Sequence, residues 1–150
     1  MAKQSINLGT APTGAGGDDR RSAWVKANAN FDELYAAVLI ETGTNANGRY
    51  TKWSDGTMIC EGSVPVGNIA TQTVIGSLYF SGLISARPFP ANFIAPPVCV
   101  ITVVAADGIA SYSVSAPATA SASQSVYLTA PSSSGTRAVT VSFIAKGRWK

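Results

Sequence analysis

The pattern of apolar and polar positions divides the chain near residue 46. From Asp19 to Leu39 the apolar side chains recur at alternating intervals of three and four residues, which predicts a helix with a heptad stripe over about residues 19–39. The stripe consists of Trp24, Ala27, Phe31, Leu34 and Val38. Beyond residue 46, short runs alternate with period two between clusters of Gly, Pro, Asn and Ser, which predicts six to eight strands. We therefore expect a helical segment in residues 1–46 and an antiparallel β-sandwich in residues 47–150.

The helical stripe has two interpretations. It either packs against its own domain or joins equivalent helices of other copies, and two heptads are fewer than the roughly three or four that identify a coiled coil. The pattern alone does not separate these alternatives. Asp18 and Asp19, directly before the stripe, are expected to cap the first free N–H groups of the helix.

The stretch Asn47–Gly62 carries a hairpin signal. Asp55-Gly56 suits a two-residue turn with positive φ at both positions, flanked by aromatic and β-branched residues. Such a turn would place Trp53 opposite Met58 on the core side.

Three other segments have distinct patterns. Glu41 to Gly48 is expected to be a turn-rich connector after the helix. Arg87 to Pro97 contains too many prolines for a central strand and predicts an ordered loop, with Phe89 and Phe93 inserted into the core. Val98 to Val104 is apolar on both faces, as in a strand covered on both sides by its own sandwich or by a neighbouring chain.

Length and composition predict one domain with an appendage, since the chain has 150 residues of which only 13% are charged. Residues 49–150 carry seven basic and three acidic side chains, which either attract an anionic partner such as a glycan phosphate or serve solubility alone. No apolar run is long enough for a membrane span, and the N-terminus lacks a secretory pattern. We expect a soluble protein made in a cytoplasm, with no membrane insertion.

Reactive groups are too few for the common catalytic and metal sites. The chain has no histidine, and Cys60 and Cys99 stand alone in apolar runs, so a zinc site and a Ser-His-Asp triad have no ligands or base. We expect both thiols to be buried and reduced, and a disulfide between them is the alternative. No phosphate-binding loop is present, and basic and aromatic residues are interleaved only at the chain end. The sequence therefore predicts neither an enzyme, a cofactor nor nucleic-acid binding.

Three segments resemble bacteriophage tail fibre and receptor-binding proteins. GDDRRSAWVKANANFDELY, Gly17 to Tyr35, is similar to a segment near the N-terminus of many phage tail and fibre proteins. NGRYTKWSDGTMICEG, Asn47 to Gly62, resembles the opening of their C-terminal receptor-binding domains. The terminal AKGRWK resembles the end of the same domains.

The resemblance implies a role in the virion. Proteins of this kind are typically homotrimers, joined to tail or baseplate proteins by the N-terminal segment and bound to a bacterial cell-surface glycan by the C-terminal domain. It places the chain in the phage tail, assembled in the host cytoplasm. Two alternatives are a structural tail, baseplate or decoration protein without receptor binding, and a free carbohydrate-binding lectin.

Candidate receptor contacts are aromatic residues among short polar side chains, a composition suited to sugars. Tyr112 and Tyr127 lie among Ser and Thr, and the segments around Asp107 and Arg137 would supply hydrogen bonds. The alternative for the tyrosines is a core or intersubunit contact.

Overall fold

The computed structural model describes residues 4–36, 38–106 and 110–150. Backbone contacts divide the chain into two compact units, Met1–Leu39 and Ile40–Lys150. The described residues form one helix and eight strands, namely α1 (Arg20–Ala36), β1 (Leu39–Asn45), β2 (Gly48–Trp53), β3 (Thr57–Ile75), β4 (Leu78–Ser81), β5 (Val98–Ala105), β6 (Ser111–Ala116), β7 (Ser125–Ala130) and β8 (Ser134–Arg148). The predicted class, mainly antiparallel β with an N-terminal helix, is confirmed.

Helix α1 begins at a capping aspartate. Asp19 Oδ1 accepts hydrogen bonds from the backbone N–H groups of Arg21 and Ser22, at 2.8 and 3.0 Å. These bonds satisfy two N–H groups that have no partner within the helix, as expected. The helix ends at Ala36 rather than near Leu39, so Val38 lies outside it.

The long strand β3 connects two layers of sheet. Its first part pairs with β2 on one side, and β8 pairs along Thr57 to Thr71 on the other. Strand β5 pairs with β8, so β1, β2, β3, β8 and β5 form a first layer. The end of β3 pairs with β4, which continues into β7 and β6, the second layer.

The core fills the space between the layers. Strand β8 turns Val141 and Phe143 inward, at 1% and 3% exposure, and β7 does the same with Leu128 at 1%. Phe89 and Phe93, each 4% exposed, enter from the proline-rich loop. Their rings meet edge to face at 5.3 Å between centroids, and Phe89 meets Phe143 at 5.4 Å. The predicted insertion of both loop phenylalanines is confirmed.

The β2–β3 turn has three residues rather than two, so the predicted register is wrong by one position. Gly56 has φ of 87°, but among the residues that the structure describes only glycines have a positive φ. Lys52, not Trp53, is the partner of Met58. Met58 is fully buried as expected, whereas Trp53 moves to the outer face, because a shift of one residue exchanges the two faces of a strand. A three-residue loop with a left-handed glycine is a common hairpin connection.

The predicted connector at Glu41 to Gly48 is mostly strand β1. Its Gly43 lies against the ring of Tyr50, where a Cβ would be only 2.5 Å from a ring carbon. Close approach between two strands therefore explains this glycine.

Strand β5 is covered on one face only in the single chain. Ile101 and Ala105 are each 5% exposed and face the core. Val98, Val100 and Val104 alternate with them and are 78%, 66% and 56% exposed. Coverage of both faces thus stays a prediction that needs a neighbouring chain.

The two cysteines are free thiols on different strands. Cys60 of β3 and Cys99 of β5 are both register partners of Ala145 on the intervening β8. Two strand spacings separate their Cα atoms by roughly 9–10 Å, beyond the roughly 4.4–6.8 Å that a disulfide spans. Burial raises the pKa of Cys60 to about 11 and also raises that of Cys99.

Candidate receptor-binding surface

The outer face of the second layer carries two aromatic rings. Along β7, Val126 and Leu128 face the core at 1% exposure each, so Tyr127 and Thr129 point the other way. Phe80 of β4 is the register partner of Thr129 and therefore shares that face. The rings of Phe80 and Tyr127 meet edge to face, with centroids 6.5 Å apart and planes at 71°.

A groove of about 350 Å³ adjoins Phe80. Its polar lining includes the amides of Asn68 and Gln72 and the hydroxyl of Thr73, and its apolar lining includes Phe80 and Leu83. We call these five residues the amide groove. None of the residues that line it is charged.

Irregular pairing in β3 builds this groove. The register of β3 shifts between Ile69 and Thr71 against β8, and between Thr71 and Thr73 against β4. Bulges of this kind redirect side chains. Thr71 is fully buried, while Gln72 to Ile75, the last four residues of β3, are all exposed, so strict alternation is lost at this end of the strand.

Tyr112 and Tyr127 lie on opposite faces of the second layer. Tyr127 is the register partner of Ser113, and Tyr112 that of the buried Leu128. The Tyr112 hydroxyl donates a hydrogen bond of 2.8 Å to the carbonyl oxygen of Ile101 on β5. Tyr112 therefore links the two layers, and only Tyr127 belongs to the aromatic pair.

Arg137 is buried at the start of β8, with 8% of its surface exposed. Its Nη2 donates to Thr71 Oγ1 at 2.8 Å, and that hydroxyl lies 2.8 Å from Ser134 Oγ. These contacts hold β8 to β3 and leave little of the guanidinium for a ligand. The fourth predicted contact, Asp107, lies outside the described residues.

The helical stripe is exposed in the single chain. Trp24, Phe31 and Leu34 are 63%, 53% and 63% exposed, and Ala27 is half-buried.

A second apolar surface lies on the first layer. We call it the outer valine face, consisting of Val98, Val100, Val104 and Ile144, each more than half exposed. A shallow depression of about 130 Å³ lies beside Val100 and Ile144.

Neither a metal-binding cluster nor a membrane-spanning helix occurs among the residues that the structure describes. Within residues 4–36, 38–106 and 110–150, no three Cys, Asp or Glu side chains lie close enough together to hold a metal ion. The helix in this part of the chain does not reach the length and hydropathy of a membrane span.

Known proteins were compared with the chain by sequence and by structure. No family model and no curated protein matches it. Its structure is similar to those of R1 pyocin tail fibres. The match to a C-terminal fragment of the P. aeruginosa R1 pyocin fibre has a TM-score of 0.48 and 16% identity, covering 96% of this chain and 35% of that one. The match to an N-truncated R1-type pyocin tail fibre has a TM-score of 0.49 and 18% identity, covering 88% and 98% of the two chains.

Proposed function

We propose that this protein is a phage tail fibre or receptor-binding protein that attaches the virion to a bacterial cell-surface glycan. The observation that carries the proposal is the outer face around Phe80, whose ring both lines the amide groove and contacts the Tyr127 ring. The segments that resemble phage fibres support the same role. Attachment in this proposal is binding alone, without a catalytic step.

The chemistry of the surface suits a neutral sugar. Aromatic faces cover the apolar side of a pyranose, and the amides of Asn68 and Gln72 both donate and accept hydrogen bonds with hydroxyl groups. Because the groove lining is uncharged, binding there is expected to depend little on salt.

Homotrimeric assembly is the second part of the proposal. The helical stripe and the outer valine face are two apolar surfaces exposed in the single chain, and contiguous surfaces of this kind mark interaction sites. The N-terminal segment would join tail or baseplate proteins in a virion assembled in the host cytoplasm. Three weak sites on one trimer give firm attachment through multivalency.

Adsorption to cells tests the proposal. The purified, fluorescently labelled chain is expected to bind some strains of a bacterial panel, and Tyr127→Ala or Gln72→Ala should weaken binding at least tenfold without lowering the melting temperature substantially. The exposed Arg49 lies on β2, away from the groove, so Arg49→Ala is the control and should bind like wild type. If the double variant Y127A/Q72A still adsorbs to cells as strongly as wild type, the assignment of this face as the receptor-binding surface is contradicted.

A purely structural role in the tail or baseplate is the second candidate, and the outer valine face favours it. This face would pack against virion proteins whether or not a receptor binds elsewhere. A chain that assembles but adsorbs to no strain, and does not block infection by the phage that carries it, would support the structural role.

A further inference from the structure

A second cleft lies at the β2–β3 turn, on the first layer and at the opposite end of β3 from the amide groove. It has a volume of about 270 Å³ and is open to solvent. The side chains of Trp53, Asp55, Thr57, Ile59 and Lys146 line it. We call it the turn cleft. It combines one indole, one carboxylate, one hydroxyl and one ammonium group.

Hydrogen bonds fix the walls of the turn cleft. The two carboxylate oxygens of Asp55 accept from the Thr57 N–H at 2.7 Å and the Thr57 hydroxyl at 2.8 Å. The Trp53 carbonyl oxygen accepts from Gly56 N–H at 3.1 Å and from the indole N–H of Trp149 at 3.0 Å. The backbone N–H of Trp149 donates to the carbonyl oxygen of Gly56 at 3.0 Å. The turn is thus tied to the chain end, and a preorganised site loses little entropy on binding.

Basic side chains lie in the turn cleft and beside it. Lys146 is exposed and forms no hydrogen bond or ion pair with the residues that the structure describes. Arg148 lies beside the cleft, since a Cβ on Gly56 would be 2.8 Å from its Nη2. The two bonds from Thr57, and then the charges of Arg148 and Lys146, hold the pKa of Asp55 below its usual range. Two cations therefore accompany one ionised carboxylate.

We propose that the turn cleft binds a single pyranose ring that carries a negative charge, as in a hexuronic acid or a sugar phosphate. The Trp53 indole would cover the apolar face of the ring. Lys146 would pair with the anionic substituent. Asp55 would accept from a ring hydroxyl, since an ionised carboxylate has about four acceptor positions and Thr57 occupies two of them. This proposal concerns binding by the chain itself and does not depend on adhesion to cells.

Ligand titration of the full chain, followed by NMR of the indole N–H signals, tests the proposal. The probes are methyl glucuronide, glucose 1-phosphate, the neutral methyl glucoside and inorganic phosphate. We expect both anionic sugars to shift the Trp53 signal and to bind at least fivefold more tightly than methyl glucoside. Inorganic phosphate alone should bind at least fivefold more weakly than glucose 1-phosphate, because it lacks the ring that the indole covers. Binding of both anionic sugars shows that the negative charge is recognised, and preference for one of them identifies the substituent.

Two variants with a matched control make the result decisive. Lys146→Gln should weaken both anionic sugars at least fivefold and leave methyl glucoside unchanged, whereas Arg49→Gln, which removes one positive charge elsewhere on the domain, should change neither. Trp53→Phe retains an aromatic ring and should weaken all three sugars by a smaller factor. Equal binding of charged and neutral glucosides would overturn the proposal, as would equal effects of K146Q and R49Q. If Tyr127→Ala abolishes cell adsorption while the turn cleft still binds sugars, that result concerns the amide groove only.

Discussion

A polar substitution on the outer valine face tests whether copies of the chain meet there. Val100 is 66% exposed in the single chain, and burying a whole valine side chain contributes about 1.5–3 kcal/mol. Covering its exposed part by a neighbouring copy would therefore contribute about 1–2 kcal/mol per copy. We expect Val100→Ser to remove that contribution and to leave the fold intact, because the side chain points away from the core.

The effect is multiplied in a trimer, which contains this side chain three times. The total loss of about 3–6 kcal/mol raises the constant for dissociation into monomers by about two to four orders of magnitude. That constant has the dimension of concentration squared, so the concentration at half dissociation increases about 10- to 100-fold. Light scattering over a dilution series measures this shift as a change in native mass.

The same substitution elsewhere provides the control. Val74 lies on β3 outside the outer valine face and is 60% exposed, so Val74→Ser should leave the mass unchanged at every concentration. Circular dichroism should show that both variants are folded. Wild-type protein that is monomeric throughout the series, or equal shifts in both variants, would refute assembly through this face.

Three further predictions concern the fold itself. Phe143→Ala is expected to lower the free energy of unfolding by about 3–5 kcal/mol, because the ring is 3% exposed, and a loss below about 1 kcal/mol in urea would contradict its place in the core. Gly56→Ala should reduce the melting temperature more than Gly76→Ala. Both glycines have positive φ, at 87° and 64°, but of the two only Gly56 has other atoms where a Cβ would lie. Equal reductions of the melting temperature would contradict this difference. The Cys60 thiol should react with a thiol reagent slowly in folded protein and rapidly in urea. Burial raises its pKa from 9.0 to about 11, so the unfolded chain loses the proton first and stability should fall as the pH rises from about 9 to about 11; constant stability over that window would contradict the burial.

For some strands, the alternation of apolar and polar residues within the strand was enough to predict which side chains are buried. Val139, Val141 and Phe143 occupy alternate positions of β8, and all three are buried. The same phase extends back to Arg137, which was instead predicted as a receptor contact. Its position, two residues before Val139, was the available signal for its burial.

The alternation of faces along each strand also distinguishes Tyr112 from Tyr127. Tyr112 is in phase with Val114 and out of phase with the serines around it, whereas Tyr127 is out of phase with Val126 and Leu128. The prediction from composition treated both tyrosines as exposed aromatic residues among short polar side chains. Phase places only Tyr127 on the polar side, as the structure does.

The conformation of the β2–β3 turn was not predictable from its local sequence. Asp55-Gly56 is compatible with a two-residue turn and with a three-residue turn that ends in a left-handed glycine. Hydrogen bonds from Trp149, at the far end of the chain, reach Trp53 and Gly56 in the observed turn. The turn cleft was missed for the same reason, because the predicted register placed Trp53 in the core.

The three proposed surfaces differ in how close they lie to one another. The amide groove lies where β3 passes from its pairing with β8 to its pairing with β4, and none of its lining residues belongs to the outer valine face, so contact between copies through that face leaves it open. The turn cleft, in contrast, borders the outer valine face, because Lys146 is the register partner of Val98. The proximity of the two surfaces can be tested through trimer dissociation. A ligand that binds monomer and trimer with different affinity must shift the equilibrium between them by the same factor. A charged sugar in the turn cleft is therefore expected to change the dissociation of the trimer, whereas a neutral sugar in the amide groove is expected to leave it unchanged.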